Sequence, residues 1–157
     1  HIITLPKVPD GKYIGVQYLL GVDSIHNMTG AQEGALDPVN GMFWNWNSGY
    51  IMAKLEGLST ASQSPGNVFL YHTGGFGGPN SVLKTIRLYF NGETAQVAAL
   101  HQPRIYIKAN VNEWFQTPNM LLINQTSVNN DPGPVSRFIA DNYADMFTYQ
   151  SMVNMGK

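Results

Sequence analysis

Histidine and tryptophan are the residues of this chain whose chemistry stands out, because the sequence contains no cysteine. Without thiolates, a transition-metal site has to use imidazole, thioether or carboxylate ligands. Of the four histidines, His72 stands where a predicted strand enters a glycine-rich segment, and it is our first candidate ligand. His101, close to Pro103, is instead predicted to lie on the surface.

Two of the three tryptophans, Trp44 and Trp46, lie in the densest aromatic segment of the chain. A single extended strand over residues 42–56 would direct alternate side chains to opposite faces. One face would then carry Met42, Trp44, Trp46, Ser48, Tyr50 and Met52. Such a face is typical of core packing, and it is also suited to the wall of a site for a soft metal or a flat ligand.

The elements that must position these residues are mostly short strands separated by turn residues. Alternating apolar residues predict strands, and the pair Asn91-Gly92 predicts a hairpin between two of them. Helical spacing predicts one helix near the end of the chain, over residues 135–146. The predicted fold is mainly β, an antiparallel β-sandwich (Ig-like) or partly open barrel with one short C-terminal helix. The predicted strands cover residues 13–20, 42–56, 68–72, 81–90, 95–100, 103–110, 120–123 and 147–150, and residues 23–40 are predicted to form a long irregular loop.

Length and composition limit the classes of protein to which the chain can belong. A length of 157 residues predicts a single domain over residues 1–157. Charged residues make up only 12% of the chain, against roughly 25% in an average domain, which suits an exported bacterial β-protein. Lys and Arg are scattered along the sequence, so we do not expect nucleic-acid binding. No apolar run approaches the roughly 20 residues of a membrane-spanning helix.

One block of sequence resembles a known family. It reads Met42-Phe-Trp-Asn-Trp-Asn-Ser-Gly-Tyr50, follows Gly21-Val-Asp-Ser24 and Leu36-Asp-Pro38, and precedes Tyr71-His-Thr-Gly-Gly75. This arrangement is similar to the MbnP-like family of periplasmic copper-binding proteins, from about Asp10 to Phe76. Family members usually carry further strands before the segment matching residues 2–5, so the resemblance implies that this chain lacks its N-terminal strands.

The resemblance also implies a cofactor and its ligands. Family members bind copper with histidines and with a tryptophan that a partner haem enzyme oxidises to kynurenine. The matching tryptophan here is Trp44 or Trp46. His26 lies in a segment that resembles the family's Gly-Val-x-x-x-x-Asn-His, with the last two residues exchanged, and is the second candidate ligand after His72.

Two functional hypotheses follow. The first is a metal-binding protein of the bacterial cell envelope that holds copper without turnover, in the periplasm, anchored at the outer membrane, or outside the cell. The alternative is a carbohydrate- or partner-binding β-sandwich module of the cell surface, in which exposed Trp44, Trp46 or Trp114 stack on sugar rings. No catalytic triad or carboxylate pair has diagnostic spacing, so we do not expect an enzyme.

Overall fold

The computed structural model describes residues 1–45 and 47–156 of the chain. The chain is mainly β, with 39% of residues in strands and 21% in helices. This confirms the predicted antiparallel β fold with one helix near the C-terminus, and the described residues form no closed barrel. In chain order, the described elements are β1 (Gly11–Tyr13), β2 (Gly15–Leu20), α1 (Ser24–Met28), β3 (Phe43–Asn45), β4 (Gly49–Leu58), β5 (Val68–Gly74), β6 (Lys84–Tyr89), β7 (Ala95–Val97), β8 (His101–Ala109), β9 (Val128–Asn129), α2 (Pro134–Tyr143) and β10 (Phe147–Gly156).

The described strands form one four-stranded sheet and three two-stranded pairs. The larger sheet has the order β3-β4-β5-β9, and the pairs are β1 with β7, β2 with β6, and β8 with β10. Pairing within the larger sheet is antiparallel except between β5 and β9, which run parallel. Short 3-10 turns lie between several of the strands.

The chain divides into two compact units. The first unit contains His1–Tyr18, Arg87–Ala109 and Phe147–Lys157, and the second contains Leu19–Ile86 and Asn110–Met146. The single domain over residues 1–157 and the lack of N-terminal strands both stay predictions.

The core of the second unit lies between the four-stranded sheet and α2. Tyr71 of β5 and Ile139 and Tyr143 of α2 are fully buried. Helical spacing places both α2 side chains on one stripe, which is why the periodicity located this helix correctly. Burial raises the pKa of Tyr143 to about 12, so its hydroxyl stays neutral and bonds with Thr73 and the carbonyl of Val82.

The aromatic segment forms a hairpin, and the predicted single strand over residues 42–56 is wrong. Oδ1 of Asn45 accepts the backbone N–H groups of Asn47 and Ser48, each at 2.9 Å, and this side-chain turn ends β3. Gly49 has a φ of +73°, which glycine adopts without strain and which lets β4 start in the opposite direction. Phe43 therefore pairs with Tyr50 instead of preceding it along one strand.

The predicted hairpin at Asn91-Gly92 is also wrong. The turn itself forms, with φ angles of 51° and 90° at these two residues and a bond from the N–H of Glu93 to the carbonyl of Phe90. The strands on either side pair elsewhere, β6 with β2 and β7 with β1. Turn residues specify a local reversal, whereas burial selects the partner strand, and Ala95 of β7 is only 2% exposed.

Two further expectations from the sequence need correction. The loop over residues 23–40 contains α1, which begins at Ser24 because the Asp23 side chain caps it. Residues 120–123 form no strand. Leu121 is buried there, and its backbone N–H bonds to the carbonyl of Phe115 across the intervening irregular segment.

The first unit contains the long antiparallel pair β8 and β10. Their register runs from Phe147 opposite Ala109 to Gly156 opposite His101, with one irregularity after Tyr149. Phe90 is buried in this unit, and its ring centroid lies 5.3 Å from that of Tyr149.

Candidate functional site

Strand β5 carries His72 on the face of its sheet that points away from the core. Its neighbours Tyr71 and Thr73 are fully buried, and strand alternation therefore directs His72 the opposite way. Antiparallel pairing with β4 places Lys54 opposite His72, and Glu56 follows two residues later on the same face. Only 12% of the His72 side chain is exposed although it lies on this outer face, so other side chains cover it.

Both ring nitrogens of His72 contact oxygen atoms. Nε2 lies 2.6 Å from Oε1 of Glu56, and Nδ1 lies 2.8 Å from Oδ1 of Asn130. Nζ of Lys54 lies 3.4 Å from the same Glu56 oxygen. The hydrogen bond from His72 lowers the pKa of Glu56, and Lys54 lowers it further. Partial desolvation of the carboxylate opposes this shift. Glu56 is therefore a carboxylate at neutral pH.

Trp44 of β3 contacts the same asparagine oxygen. Its indole Nε1 donates a hydrogen bond to Oδ1 of Asn130 at 2.9 Å. An indole N–H can only donate, so this bond fixes which end of the Asn130 amide faces inward. His72 Nδ1 then has to donate to Oδ1 as well. Because Nε2 faces a carboxylate, the doubly protonated ring can make both bonds, whereas a neutral ring can make only one.

Gly74 provides the space that the Trp44 indole occupies. A Cβ atom placed on Gly74 would lie against Cζ3 and Cη2 of Trp44 and 2.9 Å from the backbone oxygen of Tyr50. The ring thus packs on the backbone of β5, two residues beyond His72 on the same face. Trp44 is half-buried as a result.

The segment that follows β9 completes the site. Asn129 pairs with Tyr71 in the parallel ladder, and its Nδ2 donates to the backbone oxygen of His72 at 2.9 Å. The same Nδ2 also donates to the hydroxyl of Ser136 at the start of α2. The two adjacent asparagines therefore hold the backbone and the ring of His72. Sequence reasoning did not single out Asn130, and it also missed the pairing of Glu56 with His72.

The other candidate ligand, His26, belongs to a different local structure. Its backbone N–H bonds to Oδ1 of Asp23 at 2.9 Å, and its ring Nδ1 lies 2.8 Å from Oδ2. The bond from the His26 backbone lowers the pKa of Asp23, with a further contribution from the ring. The His26 side chain is 52% exposed, and the structure places it with Asp23 and not with the group around His72.

Few other donors are available for a metal ion. Within residues 1–45 and 47–156, no cluster of three or more His, Cys, Asp or Glu side chains is arranged to hold a metal. The sulfur of Met52 is buried and accepts the backbone N–H of Val22 at 3.0 Å. His101, at the start of β8, is exposed as expected. Trp46, the second tryptophan that the sequence nominated, lies outside the described residues.

The comparison with protein families gives the wider context. The sequence matches the MbnP family over residues 1–136, which is most of its length. The chain belongs to the MbnP family. This confirms the resemblance seen in the sequence, and the match includes Trp44, Glu56, His72 and Asn130. Searches of curated proteins and of solved structures returned no match.

Membership in the MbnP family connects the chain with copper and with export to the bacterial envelope. The MbnP family is also methanobactin-related. None of the helices in the described part of this MbnP-family chain has the length and apolar character needed to cross a membrane.

Proposed function

We propose that this chain is a copper-binding protein of the bacterial cell envelope that carries out no turnover. One observation carries the proposal: Asn130 joins the indole of Trp44 to the imidazole of His72, in a family associated with copper. The proposed location is the periplasm, the outer membrane through an anchor, or the cell exterior, in keeping with the family.

The residues around His72 fit copper in their chemistry. Imidazole nitrogen and carboxylate oxygen both bind copper, and Nε2 of His72 and Oε1 of Glu56 are 2.6 Å apart. A metal ligand has to be free of its proton, so copper would replace the proton between these two atoms. His72 and Glu56 are therefore the residues that would hold the ion. His26 stays a predicted second ligand.

Trp44 as it stands offers no lone pair to a metal, because the indole nitrogen only donates. Kynurenine, by contrast, carries an amine and a ketone oxygen, and both can bind a metal. We propose Trp44 as the tryptophan that a haem-containing maturation enzyme converts, because its indole N–H shares an acceptor with His72. Trp46 stays the alternative predicted from the sequence.

The described tryptophans support the carbohydrate-binding alternative less than they support the copper proposal. Trp114 is only 4% exposed, so the expectation that it could stack on a sugar ring from the surface is wrong. Trp44 is half-buried against Gly74, and its N–H is already bonded to Asn130. Neither indole presents an open face with an unused donor.

Copper titration tests the proposed function. Protein purified without chelator is analysed for bound metals and titrated with Cu(I) and with Cu(II) by calorimetry. We expect the parent protein to bind copper and His72→Ala to bind it much more weakly. His101→Ala is the matched control, since that ring is exposed and outside the site. Undiminished copper binding by His72→Ala would contradict the assignment of the site to His72. A parent protein that bound no copper would contradict the proposed function.

Mass spectrometry tests the modification separately. The protein is isolated from its native host, or after co-expression with a haem-containing maturation enzyme, and its intact mass is compared with the mass calculated from the sequence. Kynurenine changes the mass by a few daltons, and peptide mapping assigns the change to Trp44 or to Trp46. A conversion confined to Trp46 would contradict the choice of Trp44.

A further inference from the structure

The two units carry opposite formal charges, although Lys and Arg are scattered along the sequence. The first unit contains six Lys and Arg residues against two Asp and Glu residues, a formal charge of +4. The second contains three against eight, a formal charge of −5. The whole chain is nearly neutral, so its total charge of −1 conceals this separation.

The cations of the two units also differ in their partners. All three cations of the second unit form ion pairs: Lys54 with Glu56, and Lys84 and Arg137 with Asp141. In contrast, no ion pair involves a Lys or Arg of the first unit within the described part of the chain. The described cations of that unit are Lys7, Lys12, Arg87, Arg104 and Lys108.

Two of these unpaired cations line one open groove. The groove has a volume of about 320 Å³ and is formed by residues of β1, β2 and β6 and by the short link from β1 to β2. Its lining includes no acidic side chain. The exposed side chains that line it are Lys12, Ile14, Gln17, Arg87 and Tyr89.

Arg87 is held in place and keeps most of its donors. Its Nε donates to Oε1 of Gln17 at 2.6 Å, and both residues line the groove. A guanidinium has five N–H donors, and the terminal nitrogens of Arg87 form no hydrogen bond within residues 1–45 and 47–156. Lys12 likewise has no bonded partner for its ammonium group in these residues. The groove therefore presents two cations that form no ion pair with the described acidic side chains of this unit.

Apolar side chains stand beside these cations. Ile14 is 67% exposed and Tyr89 is 66% exposed, and both line the groove. A site for a small soluble anion has no need of an exposed isoleucine. Cations beside exposed aliphatic and aromatic groups are instead typical of surfaces that bind peripherally to a lipid bilayer. At such surfaces tyrosine favours the headgroup region, and basic residues contact anionic lipids.

We propose that this groove docks the first unit on an anionic lipid bilayer. Lys12 and Arg87 contact the lipid phosphates, while Ile14 and Tyr89 enter the boundary between headgroups and acyl chains. The binding is peripheral and weakens with salt, because two exposed charges provide much of it. It is independent of the copper proposal, since no residue of the groove belongs to the group around His72.

Vesicle co-sedimentation with the full chain tests this proposal. Vesicles of phosphatidylcholine alone are compared with vesicles that also contain phosphatidylglycerol, at low and at physiological salt. We expect binding only to the anionic vesicles and weaker binding at the higher salt. The double variant Lys12→Gln with Arg87→Gln is expected to partition roughly 25-fold less, about fivefold for each cation.

The matched control is the double variant Arg104→Gln with Lys108→Gln. It removes the same charge from the same unit, but neither residue lines the groove. We expect it to weaken vesicle binding about twofold or less, because neither side chain lines the groove that contacts the lipid and salt screens exposed charges that make no direct contact. Equal losses in the two double variants would overturn the proposal in favour of a general effect of net charge.

Ile14→Ser separates a bilayer from a soluble anion. This variant keeps every charge and is expected to bind anionic vesicles several-fold more weakly. Unchanged vesicle binding by Ile14→Ser would overturn the proposal. It would also be overturned if the parent protein bound polyglutamate or short duplex DNA but did not bind the anionic vesicles. Circular dichroism checks that each variant is folded, as expected for exposed side chains.

Discussion

Trp44 and His72 bond to one and the same atom, Oδ1 of Asn130, at 2.9 and 2.8 Å. The two rings come from different strands of one sheet, and the asparagine comes from the segment after β9. A single amide oxygen thus sets the position of the indole relative to the imidazole. Three experiments test this arrangement, and a fourth tests the separate contact between Asp23 and His26.

Asn130→Ala removes the shared acceptor. Both rings lose a hydrogen bond and are partly covered, so we expect the free energy of unfolding to fall by about 1–3 kcal/mol. Trp44 should also become more mobile, with a red-shifted fluorescence emission. Denaturant unfolding followed by fluorescence measures both effects. The control is Asn112→Ala, because the exposed Asn112 side chain has no bond to any described residue. Identical stability of the two variants would contradict the role of Asn130.

Gly74→Ala places a methyl group where the Trp44 indole now lies. The ring or the strand has to shift, and such overpacking typically costs about 1–3 kcal/mol. Gly77→Ala is the matched control, since Gly77 has a φ of −152° and no atom within 4 Å of an added Cβ. Thermal or urea unfolding of both variants measures the difference. Equal stabilities would mean that the indole does not pack on Gly74.

Glu56 makes stability depend on acid pH. The hydrogen bond from His72 lowers the pKa of Glu56 below its ordinary value of 4.5, so the folded chain holds the carboxylate more strongly than the unfolded chain. The stabilisation is complete above the ordinary value and is lost as the pH falls through the lower folded pKa. The measurement is urea unfolding of the parent and Glu56→Gln between pH 6 and pH 3. The parent should lose its advantage over the variant across the acid end of this range, and a gap that stays constant with pH would contradict the assignment.

Asp23 and His26 have separable roles in α1. Asp23 accepts the backbone N–H of His26 as the helix cap, and the side chain of His26 adds only an exposed ion pair. Asp23→Ala should therefore destabilise the chain more than His26→Ala does. Thermal unfolding of the two variants provides the comparison. A larger loss for His26→Ala would show that the ring, and not the cap, supports this segment.

Much of the second unit could be predicted from periodicity. Ile139 and Tyr143 stand at helical spacing, and both are buried in α2. The alternation within β5 that turns His72 away from its buried neighbours Tyr71 and Thr73 was present in the sequence as well. These features depend on neighbours a few residues apart, and such relations are visible in a linear pattern.

The rest depends on contacts that a linear pattern does not contain. Asn130 is 58 residues from His72 and 86 from Trp44, and its neighbours along the chain indicate only a turn. The hairpin of β3 and β4 depends on the side chain of Asn45, which two backbone N–H groups use as a turn. The pairing of β7 with β1 was equally hidden, because the Asn91-Gly92 turn specifies a reversal but no partner.

The parallel pairing of β5 with β9 has a consequence for truncated forms of the chain. A fragment that stopped before Val128 would retain the tryptophan-rich block, Glu56 and His72, and a motif search would score it as intact. It would lack Asn129 and Asn130, so one edge of β5 would be open to water and the imidazole would have lost its acceptor on that side. In a homologue recognised by the motif alone, the two asparagines that match Asn129 and Asn130 should therefore be located first. Only then can its binding site be considered equivalent to the one in this chain.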